Sequence, residues 1–172
     1  MKSRLLQLSF RTTVTTADVH NIRRLLQANK RYFYPHEVKT AVELVTERLA
    51  KRRRSGYWFI FAESEGRVVG YTCFGPIPCT AAGFDLYWIT VHPDWQGRGI
   101  GRELLERTEK AIRRRRGQRI YIETSGRPVY ATTRAFYGRC GYDETAILPE
   151  FYGPDDDKFI YSKRMSEAAE QQ

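Results

Sequence analysis

Apolar and polar positions along the chain change their spacing several times, and each change marks an expected element. The alternation over residues 4–13 is apolar enough for an opening strand. Helical spacing follows, after a Thr15-x-x-Asp18 sequence that resembles a capping box. Pro35, a residue favoured in the first turn of a helix, opens a second helical pattern, which ends at Ser55-Gly56.

The second half of the chain alternates between strand and helix patterns. Aromatic and β-branched residues fill three strand-like segments, and a turn joins the first two as a hairpin. The expected strands are 57–63, 67–78, 83–91, 118–124, 143–153 and 157–165, with helices over 99–116 and 132–140. The order β-α-α-β-β-β-α-β-α-β-β predicts an α/β fold with a mixed sheet, because a Rossmann sheet would alternate strand and helix throughout.

Size and composition fit a single domain. The chain has 172 residues, of which 1–165 are predicted to form one domain and 166–172 a flexible tail. The three cysteines are odd in number and lack C-x-x-C spacing, which favours free thiols in a reducing compartment over disulfides or a metal site. No apolar run approaches the roughly 20 residues of a membrane span, and the N-terminus is too polar for a secretion signal. We therefore expect a soluble, cytoplasmic protein without a metal, as a monomer or a homodimer.

The net charge of +9 is concentrated in two basic runs. KRRRS at 51–55 and RRRRG at 113–117 each lie at the end of a helical pattern, where cations stabilise exposed carbonyl groups. We favour that role over nucleic-acid binding, because no nucleic-acid recognition motif accompanies either run. An RNA-associated protein remains an alternative, and the charge also suits an anionic cofactor.

Three glycines lie where the strand over 83–91 gives way to the helix over 99–116. The first N–H groups of a helix lack partners and attract phosphate, and glycine lets the phosphate approach. The spacing is neither G-x-G-x-x-G nor G-K-[ST], so the phosphates are expected to be a handle, as in coenzyme A, rather than a reacting group. The predicted pyrophosphate segment is Gln96-Gly97-Arg98-Gly99-Ile100-Gly101, with Arg98 and Arg102 adding charge.

The sequence resembles the GNAT superfamily of acetyl-CoA-dependent N-acetyltransferases. The family's cofactor motif, [Q/R]-x-x-G-x-[G/A], matches Gln96, Gly99 and Gly101 in sequence and in place. Its Tyr-x-x-x-Gly-[Phe/Tyr] motif matches the segment from Tyr137 to Tyr142. The resemblance covers nearly the whole order of elements. It implies a GNAT-type fold, a mixed sheet of about seven strands flanked by about four helices.

The resemblance also implies roles for individual residues. The backbone of Ile89, Thr90 and Val91 would bind the pantetheine arm, and the amides of 97–102 the pyrophosphate. The strands carrying Val91 and Glu123 would splay apart to admit the acetyl thioester. Tyr137 would be the acid that protonates the leaving thiolate.

A carboxylate is needed to take the proton of the attacking amine, since an alkyl ammonium has a pKa of about 10. Asp85 lies on the same strand face as Tyr87, Ile89 and Val91, and Glu123 lies near the end of the next strand. The branch of the family that acetylates protein N-termini has a glutamate base at the Glu123 position, whereas histone-type members have a carboxylate at the Asp85 position. We weight Glu123 slightly above Asp85. An ion pair or hydrogen bond is the alternative role for each.

One position departs from the N-terminal-acetylating relatives. Those relatives often carry an asparagine where this chain has Tyr130, so the hydrogen bond to the cofactor's arm would be lost or come from Thr132 or Thr133. This difference leaves the substrate branch open.

The segment EFYGPDDDK, residues 150–158, lies where the family shapes its acceptor site. A solvated turn is the favoured interpretation of the three aspartates, and attraction of a cationic amine is the alternative. We expect direct transfer of an acetyl group from acetyl-CoA to a primary amine, such as a protein N-terminus or a lysine, in a ternary complex. A small-molecule amine acetyltransferase and a non-catalytic CoA-binding sensor are the alternatives.

Overall fold

The computed structural model describes residues 8–165, so the predicted tail and the first part of the predicted opening strand lie outside it. The helices are α1 (Ala17–Ala28), α2 (Pro35–Lys51), α3 (Ile100–Arg113) and α4 (Ala131–Arg139). The strands are β1 (Leu8–Arg11), β2 (Trp58–Ser64), β3 (Arg67–Pro76), β4 (Gly83–Val91), β5 (Arg119–Ser125), β6 (Asp143–Gly153) and β7 (Asp156–Arg164). The predicted order of elements is confirmed.

The strands form one mixed sheet in the order β1-β2-β3-β4-β5-β7-β6. The pair β4–β5 is parallel, with Gly83 opposite Arg119 and Leu86 opposite Ile122. The pairs β1–β2, β5–β7 and β6–β7 are antiparallel. The expected α/β fold with a mixed sheet of seven strands is therefore confirmed, whereas the splay of β4 from β5 beyond these pairs stays a prediction.

The described chain divides into two compact units. The first comprises residues 8–73 and 88–108, and α1, α2, β2 and β3 supply its core. The rings of Phe59, Phe61 and Tyr71 stack within 21° of parallel, because alternate residues of a strand point to one face. The helices contribute Ile22, Leu25, Leu26, Ala41 and Val45 to the same cluster. The predicted apolar spacing of α1 thus faces this core.

The second unit comprises residues 74–87 and 109–165. Its buried side chains include Phe84, Leu86, Ile112, Ile120 and Ile122. Gly117 is tightly packed: a Cβ there would lie 2.3 Å from Ile112 Cγ2 and 2.7 Å from Phe84 Cδ2. The left-handed residue after α3 is instead Arg116, at φ 61°. This glycine is therefore required for close packing, not for backbone freedom.

The basic run after α3 contacts the end of its own helix. Arg115 Nη1 donates to the carbonyl oxygen of Ala111 at 2.7 Å. That contact supports the helix-end role expected for these cations. None of the helices in the described part of the chain is long and apolar enough to cross a membrane.

Candidate active site

The glycine loop connects β4 to α3 in the first unit. Gly97 and Gly99 have φ of +74° and +80°, a region that other residues rarely adopt. A Cβ added at either position would meet nothing within 4 Å, so both point into open space. The N–H of Glu103 donates to the carbonyl oxygen of Gly99 at 3.0 Å in the first turn of α3, and the first N–H groups of a helix generally point out of its N-terminus.

The side chain of Gln96 is fixed by a buried asparagine. Gln96 Nε2 donates to Asn29 Oδ1 at 3.1 Å and to the carbonyl of Val91 at 3.0 Å. Asn29, only 4% exposed, donates in turn to Thr90 Oγ1 at 3.3 Å and to Val91 O at 3.2 Å. This network ties the loop to the end of β4 and to α1. Sequence analysis missed Asn29, since one asparagine after a helix carries no local signal of a distant contact.

The glycine loop and the start of α3 are suited to binding a pyrophosphate group. The open glycines allow close approach, the helix terminus supplies N–H donors, and Arg98 is exposed with its guanidinium carbon 5.0 Å from the Trp95 ring centre. No cluster of three metal-binding side chains occurs among residues 8–165.

Tyr137 lies on α4 in the second unit and is 4% exposed. Its ring centre is 5.7 Å from that of Tyr161 and 6.2 Å from that of Tyr142. Burial, with further contributions from Tyr130, Cys140 and Tyr161, raises the pKa of Tyr137. The hydroxyl therefore stays protonated at neutral pH and remains a hydrogen-bond donor.

The second half of the Tyr-x-x-x-Gly-[Phe/Tyr] motif ends this helix. Gly141 has φ +79°, and the N–H of Tyr142 donates back to the carbonyl of Tyr137 at 3.1 Å. The Tyr142 hydroxyl donates to buried Glu109 at 3.0 Å, and Lys163 Nζ lies 2.9 Å from the same carboxylate. The motif thus anchors the end of α4, and Glu109 and Lys163 are partners that sequence analysis missed.

Both candidate bases lie on one face of the sheet. Asp85 on β4 is opposite Tyr121 on β5, and Glu123 and Ser125 follow Tyr121 at alternate positions on the same face of β5. Lys158 on β7 is opposite Ser125 and therefore shares this face. Burial and then the charge of Glu123 raise the pKa of Asp85 to about 6, against the opposing effect of Lys158. Lys158 Nζ lies 2.7 Å from Glu123 Oε2. The structure therefore brings the two carboxylates together and pairs one of them with a lysine that sequence analysis missed.

Tyr130, which stands where the N-terminal-acetylating relatives often have an asparagine, is packed into the fold. Tyr130 is 8% exposed, and the guanidinium of Arg127 lies 5.1 Å from its ring centre. Arg134 Nη1 donates to the carbonyl of Ser125 at 2.7 Å, which ties α4 to the end of β5. Thr132 is exposed and Thr133 half-buried, so both lie at the surface of α4.

Two of the three aspartates at residues 155–157 form hydrogen bonds within the fold instead of lying in a solvated turn. Asp156 Oδ1 accepts from Ser125 Oγ at 2.5 Å and from Gly126 N–H at 3.1 Å. Asp157 Oδ1 accepts from Glu150 N–H at 2.8 Å. Only Asp155, at φ 59°, is exposed at the turn itself. The expected interpretation was wrong for Asp156 and Asp157: the Asp156 carboxylate links β7 to the end of β5, and the Asp157 carboxylate braces the β6–β7 hairpin.

Several known proteins are similar to this chain in sequence and in fold. A mycothiol acetyltransferase from Beutenbergia cavernae is 27% identical over 130 residues, 73% of this chain and 42% of that protein. The chain thus spans less than half the length of that relative. A structure from Desulfovibrio desulfuricans, assigned to the GNAT acetyltransferases, is 39% identical with a TM-score of 0.90, covering 93% of this chain and 100% of that one.

A protein from Salmonella typhimurium, assigned as an acetyltransferase and solved with its cofactor acetyl-CoA, has the same fold. Its TM-score is 0.73 at 20% identity, covering 96% of this chain and 98% of that one. The sequence profile of the Acetyltransferase (GNAT) family matches residues 19–142. The chain belongs to the acetyltransferase (GNAT) family, the acyltransferases that use acetyl-CoA.

Proposed function

We propose that this protein transfers an acetyl group from acetyl-CoA to a primary amine. The observation that carries the proposal is the loop at Gly97 and Gly99, which is open, left-handed and placed at the start of α3. Family membership supplies the reaction class. Acetyl-CoA, when bound, provides a thioester whose acyl carbon an amine can attack.

The first unit holds the cofactor in this proposal. The amides of Gly97, Gly99, Ile100, Gly101 and Arg102 donate to the pyrophosphate, with charge from Arg98. The backbone of residues 89–91 pairs with the pantetheine arm. Asn29 supports this arrangement because it holds Gln96 and the end of β4 in one network.

Asp85 is the general base in this proposal, in place of the slightly favoured Glu123. A base works best when its pKa lies near the working pH, and Asp85 has a pKa of about 6. Glu123 is already engaged by Lys158 at 2.7 Å. Asp85 therefore takes the proton of the acceptor ammonium, while Glu123 contributes negative charge beside it.

Tyr137 is the proton donor to the departing sulfur. Its raised pKa keeps the hydroxyl neutral until negative charge develops on the sulfur, and only then is a hydrogen bond from it strengthened. The rings of Tyr142 and Tyr161 limit the positions that this side chain can adopt.

Acceptor-dependent release of free thiol from acetyl-CoA, measured against peptides and small amines, tests the proposal. Turnover with at least one primary amine is expected, and the product should carry an acetylated nitrogen by mass spectrometry. Binding of acetyl-CoA without turnover on any amine would instead support a CoA-binding sensor. Salt-dependent RNA binding that disappears when the arginines at 113–116 are substituted would support the RNA-associated alternative.

A further inference from the structure

Lys158 lies at the centre of a small cluster on the face of the sheet that carries the candidate bases. It is a buried lysine, 8% exposed, on β7. Its Nζ is 2.7 Å from Glu123 Oε2, and it also lies close enough to Asp85 to lower the pKa of that carboxyl. Two carboxylates and one ammonium leave a single net negative charge when Asp85 is ionised. The cluster therefore complements one positive charge, not several.

Aromatic side chains contact the same ammonium. Lys158 Nζ lies 3.8 Å from the ring centre of Phe151 and 6.0 Å from that of Tyr152. These two rings pack edge to face, with centres 5.1 Å apart at 86°. Lys158 Nζ thus contacts both the aromatic pair and the Glu123 carboxylate, and it acts electrostatically on Asp85.

The aromatic pair belongs to an exposed apolar surface. Phe151 is 54% exposed, Tyr152 48% and Leu148 39%, and Leu148 is directly opposite Lys158 in the β6–β7 register. Tyr87, which follows Asp85 by two residues on the same face of β4, is 36% exposed. Apolar side chains grouped around a charge cluster are typical of a ligand-binding surface.

We infer that the acceptor is a primary amine that carries one positive charge and an aromatic or large apolar group, and that Lys158 is the residue that limits the site to one cation. The apolar group packs on Phe151 and Leu148, while the ammonium faces Asp85. This inference rests on the proposed transferase function.

The test compares five acceptors with acetyl-CoA. They are a short peptide beginning with Phe, the same peptide beginning with Ala or with Lys, an N-terminally blocked peptide with an internal Lys, and 2-phenylethylamine. 2-Phenylethylamine should be acetylated faster than the blocked Lys peptide, and the kcat/KM of the Phe peptide should exceed that of the Lys peptide by about tenfold or more, as apolar subsites commonly provide. Lys158→Met should narrow that ratio, because the second positive charge of the Lys peptide would then have a free carboxylate at Glu123.

Phe151→Ala should lower the kcat/KM of the Phe peptide by about tenfold more than that of the Ala peptide. Phe151→Tyr, which keeps the aromatic ring, should keep most of the preference for the Phe peptide over the Ala peptide. Ile147→Ala is the matched control: Ile147 is 43% exposed on the same strand, but it is opposite Phe159 and points to the other face. It should behave as the unaltered protein.

Faster acetylation of the blocked Lys peptide than of 2-phenylethylamine, or of the Lys peptide than of the Phe peptide, would overturn the inference and leave the transferase function standing. An equal loss in Phe151→Ala for every peptide would also overturn it. No turnover with any acceptor, despite bound acetyl-CoA, would overturn the proposed function and this inference with it.

Discussion

The side-chain nitrogen of Lys158 lies 2.7 Å from a carboxylate oxygen of Glu123. Glu123 is therefore held in an ion pair. Burial and the charge of Glu123 raise the pKa of Asp85 to about 6. The two carboxylates are neighbours on one sheet face with different environments, and such a difference separates their chemical roles.

Replacing each carboxylate by its amide distinguishes the two. Asp85→Asn should lower kcat/KM by about 10²- to 10⁴-fold, the range for loss of a general base. Glu123→Gln should cost less than about tenfold, since its carboxylate acts through charge. Steady-state rates of thiol release, with acetyl-CoA affinity measured alongside, check both values. The reverse order of effects would return the base to Glu123.

The rate should depend on pH through Asp85. Because its carboxylate is the active form, kcat/KM should fall as pH falls through about 6 and level off above it. The groups that face Asp85 are Tyr121 and Glu123 on β5 and Lys158 on β7. Lys158→Met should move the midpoint to higher pH, since that positive charge lowers the pKa of Asp85. A midpoint that stays in place would contradict this arrangement.

The same carboxylate should reduce stability at neutral pH. Its folded pKa is raised above the unfolded value, so its stabilising contribution is present below pH about 4 and is lost as pH rises through about 6. Asp85→Asn should therefore increase the free energy of unfolding at pH 7.5 by about 1–2 kcal/mol, after allowance for solvent screening. At pH 4 the gain should shrink towards zero. Urea melts at the two pH values measure it, and an equal effect at both would refute the assignment.

The glycine loop provides a matched pair of substitutions. Gly99 and Gly66 have φ of +80° and +73°, and a Cβ at either meets nothing within 4 Å. Gly99→Ala and Gly66→Ala should each cost about 1 kcal/mol of stability from backbone strain. Only Gly99→Ala should weaken acetyl-CoA binding, by about tenfold or more, as measured by calorimetry. Equal affinities for the two variants would show that the loop does not hold the pyrophosphate.

Local signals explain what could be predicted from the sequence. The spacing of Ile22, Leu25 and Leu26 predicted α1, and glycines after an apolar strand predicted the β4–α3 loop, because both depend on neighbours in the chain. The pairing of Glu123 with Lys158 could not be predicted. It depends on the β5–β7 register, which is set by the sheet as a whole.

Other residues whose roles the sequence did not reveal also depend on partners far away in the chain. Asn29 contacts Gln96 across the fold, and Asp156 accepts a hydrogen bond from Ser125, where the sequence favoured a solvated turn. Gly117 ends a helix pattern but is needed for contact with Phe84. In each case the residue type was visible in the sequence and its partner was not.

The decisive experiment measures turnover and acetyl-CoA binding together for the unaltered protein and for Tyr137→Phe. The variant should bind acetyl-CoA with unchanged affinity, because Phe keeps the ring that packs on Tyr142 and Tyr161. Its kcat should fall by about 10²-fold or more, the effect of losing a proton donor. Full turnover in Tyr137→Phe would contradict the assigned acid, and a failure of the unaltered protein to bind acetyl-CoA would contradict the transferase itself.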